Sequence, residues 1–349
     1  MTMLFCDSFD HVSSAAELLR KWHSAVSTSG TTIPSSGGRR NGGYLSMTSG
    51  TQEWRYNLQV GVSTIIVGCA IRTDTLANAA TGFLNFEESG VLHMSLRYQL
   101  NGSIAVYRGS TLLANSAASL IAQDTWYYLE FKATIHDTTG SYEVRLDGTP
   151  IMTASGSPAA LDTRNAGTSG LVDTIMLTGH TSATDRWDDL YVNSTAGSRN
   201  FGFLGDVRVD AYRPSGAGNS SQFTNNGGSP SIANYLQVDD ATPDDGTTYV
   251  ETATINNIDT YAVTDMSHTP AAIYAVQVSA CAAKSDAGSR GLNTVTRRGS
   301  TNYHSATRQL QDSYRYISEI RESDPGAASP NDWTKTNLNA AEFGIRVPV

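Results

Sequence analysis

Between residues 126 and 151 the chain reads WYYLEFKATIHDTTGSYEVRLDGTPI, two alternating runs joined by a polar turn, the second ending on Asp-Gly. Successive side chains of a strand point to opposite faces, so a period of two that persists over this length specifies antiparallel sheet with one face buried. Tyr127, Leu129, Phe131, Ala133 and Ile135 fall on one face of the first run, and Tyr142, Val144 and Leu146 on one face of the second. Glu130, Lys132, Glu143 and Arg145 then point outward. A hairpin of this kind cannot stand alone; it predicts a β-sandwich.

The same reading extends along the N-terminal half. Strands are expected at 4–9, opening the first sheet, and at 43–48, 53–60, 63–73, 81–87, 91–99, 103–108, 126–135, 141–147, 170–179 and 186–193, separated by Gly, Asn or Asp. Ser14 followed by Glu17 forms a capping box that starts a short helix with Leu18, Leu19 and Trp22 on one side. Only 16% of residues are charged and 31 are glycine, which suits short strands and tight polar loops and disfavours coiled coil. At 349 residues two ordinary domains fit, and the polar NSTAGSRN at 193–200 marks a linker, giving domains of 1–198 and 199–349.

Three phrases of the first half, LFCDSFDHV, GGRRNGGYLSM and TDRWDDLYVNS, resemble the laminin-G-like, concanavalin-A-like jelly roll. With AAELLRKWHS at 15–24 the version is similar to that of bacteriophage virion proteins. FLGDVRVDAYRPSGAGNSSQFT and YLQVDDATPDDGTTYVET resemble the segment that follows this jelly roll in phage structural proteins. The resemblance implies an all-β chain of two tandem domains, a jelly roll and a second β-sandwich. It also implies a role in attachment or decoration on the tail or capsid surface of a virion assembled in the host cytoplasm, and a homo-oligomer, most simply a trimer. The alternative is a host-glycan-binding adhesin or a module associated with a depolymerase.

In the second domain, Val207, Val209 and Ala211 alternate with Asp206, Arg208 and Asp210 to predict an opening strand, followed by a Gly/Ser/Asn-rich loop. Further strands are expected around YLQVDD, TTYVETAT, AIYAVQVSACAAK, LNTVTRR, DSYRYISEI and FGIRVPV. No Lys or Arg occurs from 214 to 283, whereas Arg290, Arg297, Arg298, Arg308, Arg315 and Arg321 follow. This segregation suggests either compensating neighbouring strands or a subunit contact in which Arg297 and Arg298 meet Asp239, Asp240, Asp244 or Asp245.

The formal charge of -9, distributed as 13 basic against 17 acidic residues before position 200 and 11 against 16 after it, carries no nucleic-acid footprint. Cys6, Cys69 and Cys281 lie too far apart for a metal knuckle and read as thiols, Cys69 within a core strand. The N-terminus lacks a basic and apolar leader, and no apolar run is long enough for a membrane span.

No catalytic signature is present: the ExDxE motif of jelly-roll glucanases is missing, Glu87 and Glu88 are neighbours on opposite strand faces, and His136 sits beside a turn. In the resembled fold the first and last strands lie side by side, which brings Asp7 or Asp10 toward Asp188 and Asp189 as an oxygen-rich Ca²⁺ site. Asp239, Asp240, Asp244 and Asp245 form a second acidic candidate, equally readable as a Pro-Asp-Asp-Gly turn. Trp54, Tyr56, Tyr98 and Tyr107 are the aromatics available to stack on a sugar, with strand packing as their competing role.

Overall fold

The computed structural model describes residues 2–154, 161–226, 232–327 and 332–348, and these divide into two compact units, Met1–Asp210 and Ala211–Val349. The first carries β1 (Met3–Asp7), α1 (Ala15–Leu18), β2 (Ser24–Val26), β3 (Leu45–Met47), β4 (Glu53–Val62), β5 (Thr64–Thr73), β6 (Leu84–Glu88) and β7 (Val91–Tyr98). It continues with β8 (Ile104–Arg108), β9 (Thr111–Asn115), β10 (Tyr127–Thr134), β11 (Ser141–Leu146), β12 (Thr149–Thr153), β13 (Val172–Thr178) and β14 (Asp185–Ser194). The expected strands are present, together with β2, β9 and β12. These three are short, and their mostly exposed side chains lack the buried face that periodicity detects.

Two antiparallel sheets of seven strands result. One runs β1-β14-β5-β10-β11-β12, with β3 also paired to β14; the other runs β2-β4-β13-β6-β7-β8-β9. They face each other across an aromatic core in which Phe86 of β6 stacks on Phe131 of β10 at 4.7 Å and Phe5 of β1 stacks on Tyr56 of β4 at 3.6 Å. The chain therefore forms a jelly-roll sandwich whose first and last strands pair, Asp7 opposite Leu190. In the 126–151 hairpin, Leu129 pairs with Leu146, Phe131 with Val144 and Ala133 with Tyr142, in the register that the alternation demands.

The outer face of the first sheet departs from simple alternation. Glu130, expected in solvent, is buried: its Oε1 accepts the Tyr191 hydroxyl at 2.5 Å and the Gly205 amide at 2.9 Å. The cause is the segment after β14, which returns over the sheet and places Val207 among Ile66, Ala70, Tyr128 and Tyr191, with Phe203 and Leu204 beside them. The first unit thus runs on to Asp210, past the division expected at 198, and the 193–200 stretch is tied back by Ser194 donating to the Thr2 carbonyl at 2.8 Å. Likewise, the expected strand at Val207, Val209 and Ala211 forms no strand pairing.

The second unit contains β15 (Pro214–Ser221), β16 (Thr224–Asn225), β17 (Val250–Glu251), β18 (Ile258–Val263), β19 (Val276–Ala282) and β20 (Gly291–Arg298). Then come β21 (Thr301–His304), β22 (Arg308–Gln309), β23 (Arg315–Arg321), α2 (Lys335–Asn339) and β24 (Glu342–Arg346). Its main sheet runs β15-β18-β24-β20-β21 with β22 on β20, and β16 with β17 and β19 with β23 form two-stranded ribbons. A small core gathers Met266, Trp333, Leu338 and Ala341 against Ile273, Val276 and Phe343. Two expectations are corrected here. The Gly/Ser-rich PSGAGNSS is the edge strand, possible because an edge needs backbone pairing on one side only, and YLQVDD begins in a single 3₁₀ turn at Asn234–Gln237.

Candidate binding cleft

Where β10 turns into β11, the His136 ring accepts through Nδ1 from the amides of Thr138 and Thr139, each at 3.1 Å, so this histidine shapes the turn it was expected only to flank. The chain at 161–164 lies along that turn: Gly140 donates to the Leu161 carbonyl at 2.8 Å and Thr163 to the His136 carbonyl at 2.9 Å. Thr163 is fully buried, its hydroxyl donating to the Thr134 carbonyl at 2.6 Å. From there the chain crosses to the other sheet, where the Asn165 amide donates to His93 Nδ1 and its side chain to the Leu92 carbonyl, both at 3.0 Å.

Glu88 fixes the next stretch. Its carboxylate accepts the amides of Ser169 at 3.1 Å and of Gly170 and Leu171 at 3.0 Å, as well as the Ser169 hydroxyl, while His93 Nε2 sits at 3.2 Å. Burial by itself would raise this acid, but the Ser169 hydroxyl, the backbone donors and His93 outweigh it and hold the pKa at about 2. Glu87 is engaged separately, by Arg55 Nε at 3.1 Å, so the two glutamates serve different anchors.

These supports frame an open cleft of about 470 Å³ at the end of the sandwich, lined by the β8–β9 turn, Asp137 of the β10–β11 turn, and residues 162 and 164–167. Two ion pairs cross it: Arg108 binds Asp162, and Arg164 binds both oxygens of Asp137 through Nε and Nη2. Ser110, Thr111 and Asn165 add hydroxyl and amide groups, so among the described residues the lining is polar apart from Ala166 and Gly167. Sequence patterns did not single out these residues. The four charged groups lie on three separate stretches of chain, the end of β8, the β10–β11 turn and residues 162–164, and only His136 and the DTTG turn pointed to the neighbourhood.

Of the proposed calcium ligands, Asp188 and Asp189 are neighbours, but Asp7 is engaged elsewhere. Asp7 turns inward, accepting from Trp22 Nε1 at 2.9 Å with Lys21 Nζ at 3.2 Å and His11 Nδ1 at 3.5 Å. Burial would raise the Asp7 pKa, yet Lys21 and His11 with the Phe9 and Trp22 donors bring it below the ordinary carboxylate value. Asp10 accepts the Gly43 amide at 2.5 Å, and Asp188 accepts the amides of Arg39 at 2.8 Å and Asp189 at 2.7 Å. Asp189, at a β-bulge with φ of 50°, accepts the Val209 amide at 2.8 Å and lies 3.7 Å from Arg40. Among the described residues no group of three or more His, Cys, Asp or Glu is placed to hold a metal ion. The acidic neighbours instead secure the Gly-rich 37–43 loop and the 203–210 segment.

In the second unit the Thr248 hydroxyl donates between Asp240, at 3.1 Å, and Asp244, at 2.9 Å, the turn reading of this acidic run. Neither expected interface arginine projects freely: Arg298 Nε donates to buried Asp324 at 3.0 Å and its guanidinium lies over Trp333, while Arg297 approaches Glu342 at 3.8 Å. The aromatics proposed for sugar stacking are also occupied. Trp54 and Tyr98 are buried, Tyr56 stacks on Phe5, and Tyr107 lies 3.9 Å beneath the Arg97 guanidinium. The three cysteines remain thiols, with Cys69 in the core and its pKa raised by burial.

No family model matches the chain, and no curated protein matches it by sequence. Among solved structures it is similar to a sialidase, at 16% identity over 56% of this chain with a TM-score of 0.41. It is also similar to domain 4 of AbnA, a GH43 extracellular arabinanase from Geobacillus stearothermophilus in complex with arabinotriose, at 14% identity over 47% of this chain and 75% of that domain, TM-score 0.33. A third is the carbohydrate-binding module CBM66 from Bacillus subtilis, at 11% identity over 47% of this chain and 92% of the module, TM-score 0.29. The chain spans only 19% of the sialidase's length. All three scores lie below the level at which an overlap carries weight, so the architecture rests on the sheet order and register of the chain itself.

Proposed function

We propose that this chain is a non-enzymatic structural protein of a bacteriophage particle, displayed on the tail or capsid surface, where it serves assembly and attachment. The phage assignment is supported by the sequence phrases of the jelly roll followed by those of the second unit. The non-catalytic reading is supported by one observation above the rest: the adjacent acids available for acid/base chemistry are engaged one by one, Glu87 by Arg55 and Glu88 by the 169–171 backbone. A general acid and base must face a common substrate position, and these two hold different pieces of the fold. Assembly would proceed through sheet edges, which present unpaired backbone donors and acceptors, as a cyclic homo-oligomer, a trimer in the simplest case.

Mass spectrometry of purified particles tests the assignment, with the chain expected at stoichiometric copy number and its loss expected to impair adsorption or assembly. Absence from the particles, or glycan turnover abolished by Glu87→Gln, would refute it. Analytical ultracentrifugation checks the oligomer. A second reading, a receptor-binding adhesin, is favoured by the accessible cleft at the end of the sandwich.

A further inference from the structure

We propose that the cleft formed by Arg108, Asp137, Asp162, Arg164 and Asn165 binds a neutral saccharide. Its volume of about 470 Å³ falls within the range of small-ligand sites. The lining offers carboxylate oxygens that accept from hydroxyls, guanidinium N–H groups that donate to hydroxyl and ring oxygens, and an amide that does both. A ligand dense in hydroxyl groups is the chemical complement of such a surface. Large apolar ligands have little to bury against, because among the described residues Ala166 is the sole apolar side chain lining it.

Charge narrows the class further. Each arginine is matched by an aspartate, so the four groups sum to zero and the cleft gives an anionic or cationic ligand no net attraction. The pairs remain reachable, since the side chains of Arg164 and Asp137 are 33% and 49% exposed and those of Arg108 and Asp162 are 23% and 32% exposed. Each pair also restrains its partner's rotamers before any ligand arrives. Asn165 is held by His93 and Leu92, and the following loop by Glu88, so little ordering remains to oppose binding. No aromatic side chain lines the cleft among the described residues, so recognition here is by hydrogen bonds and not by ring stacking.

This inference deepens the attachment reading by naming what is held, and its test is independent of particle assembly. The full chain is applied to an array of neutral hexose and deoxyhexose oligosaccharides alongside sialylated ones, and a neutral hit is titrated by calorimetry. Asp137→Asn should weaken that hit at least tenfold. Ala166→Trp, which fills the exposed side of the cleft without removing an ion pair, should abolish it with an unchanged melting temperature. The proposal is overturned if no neutral saccharide binds, if only sialylated ones bind, or if both variants bind as the wild type does. Any of these outcomes alongside normal incorporation into particles would remove the glycan and leave the virion assignment intact.

Discussion

Gly68 shows how one residue sets the outer face of the first sheet. It lies opposite Glu130 on one side and Tyr191 on the other, and a Cβ there would meet Tyr191 Cε1 at 2.1 Å. The missing side chain lets the tyrosine ring lie across the central strand and reach the glutamate beyond it. Gly68→Ala should therefore cost about 1 to 3 kcal/mol in chemical denaturation, as overpacking does; an unchanged midpoint would mean the ring can move aside freely. Asp188 and Asp189 make a second residue-scale prediction. Burial first, then the neighbouring charge of Asp189, raises Asp188 to about 8, and burial likewise raises Asp189. A carboxyl that keeps its proton longer in the folded state than in the unfolded one binds more protons when folded, so stability falls as pH rises from the ordinary carboxylate range toward 8. Melting temperatures across that interval should decline in the wild type and decline less in Asp188→Asn.

At the scale of elements, the loop after Asn165 depends on Glu88 and the linkage sign is reversed. A carboxylate held at about 2 against an ordinary 4.5 contributes fully above 4.5 and loses its contribution as pH falls from there toward 2. Amide exchange at Ser169, Gly170 and Leu171 should accelerate, relative to the rest of the sandwich, in that window; uniform exchange would show that the loop holds without the carboxylate. In the second unit, Arg298 joins β20 to the turn containing Asp324, whose side chain is 1% exposed. Arg298→Glu leaves that acid buried beside a like charge and should destabilise this unit by about 3 to 5 kcal/mol. Urea titration checks it, and a loss of oligomer without loss of stability would return the arginine to an interface role.

For the whole molecule, the segment from 199 to 210 belongs with the first sandwich, because Val207 shares its cluster with Tyr128 and Tyr191 and Gly205 donates to Glu130. A fragment ending at 210 should melt cooperatively at a higher temperature than one ending at 198, which uncovers those rings. Equal melting temperatures would mean that the returning segment adds nothing. The same comparison addresses proteolysis, since cutting between 193 and 203 has to detach chain that is hydrogen-bonded to Thr2 and packed on the sheet.

The all-β class, most strands of the first unit and the register of the 126–151 hairpin are legible in the chain, because a strand buried on one face writes its period directly into it. So is the capping box, in which Ser14 accepts the Glu17 amide. The rest depends on contacts between segments distant in the chain. Glu130 is buried because a segment distant in sequence covers it, and PSGAGNSS is a strand because Ile258–Val263 lies beside it. Asp7 faces Lys21 and Trp22 instead of Asp188, since pairing the first and last strands fixes their backbones but leaves each side chain to its own neighbours. The cleft was illegible for the same reason. Arg108, Asp137, Asp162 and Arg164 come from turns of both sheets and a connecting segment, and only the closure of one sheet over the other brings loops so far apart in the chain to a common surface.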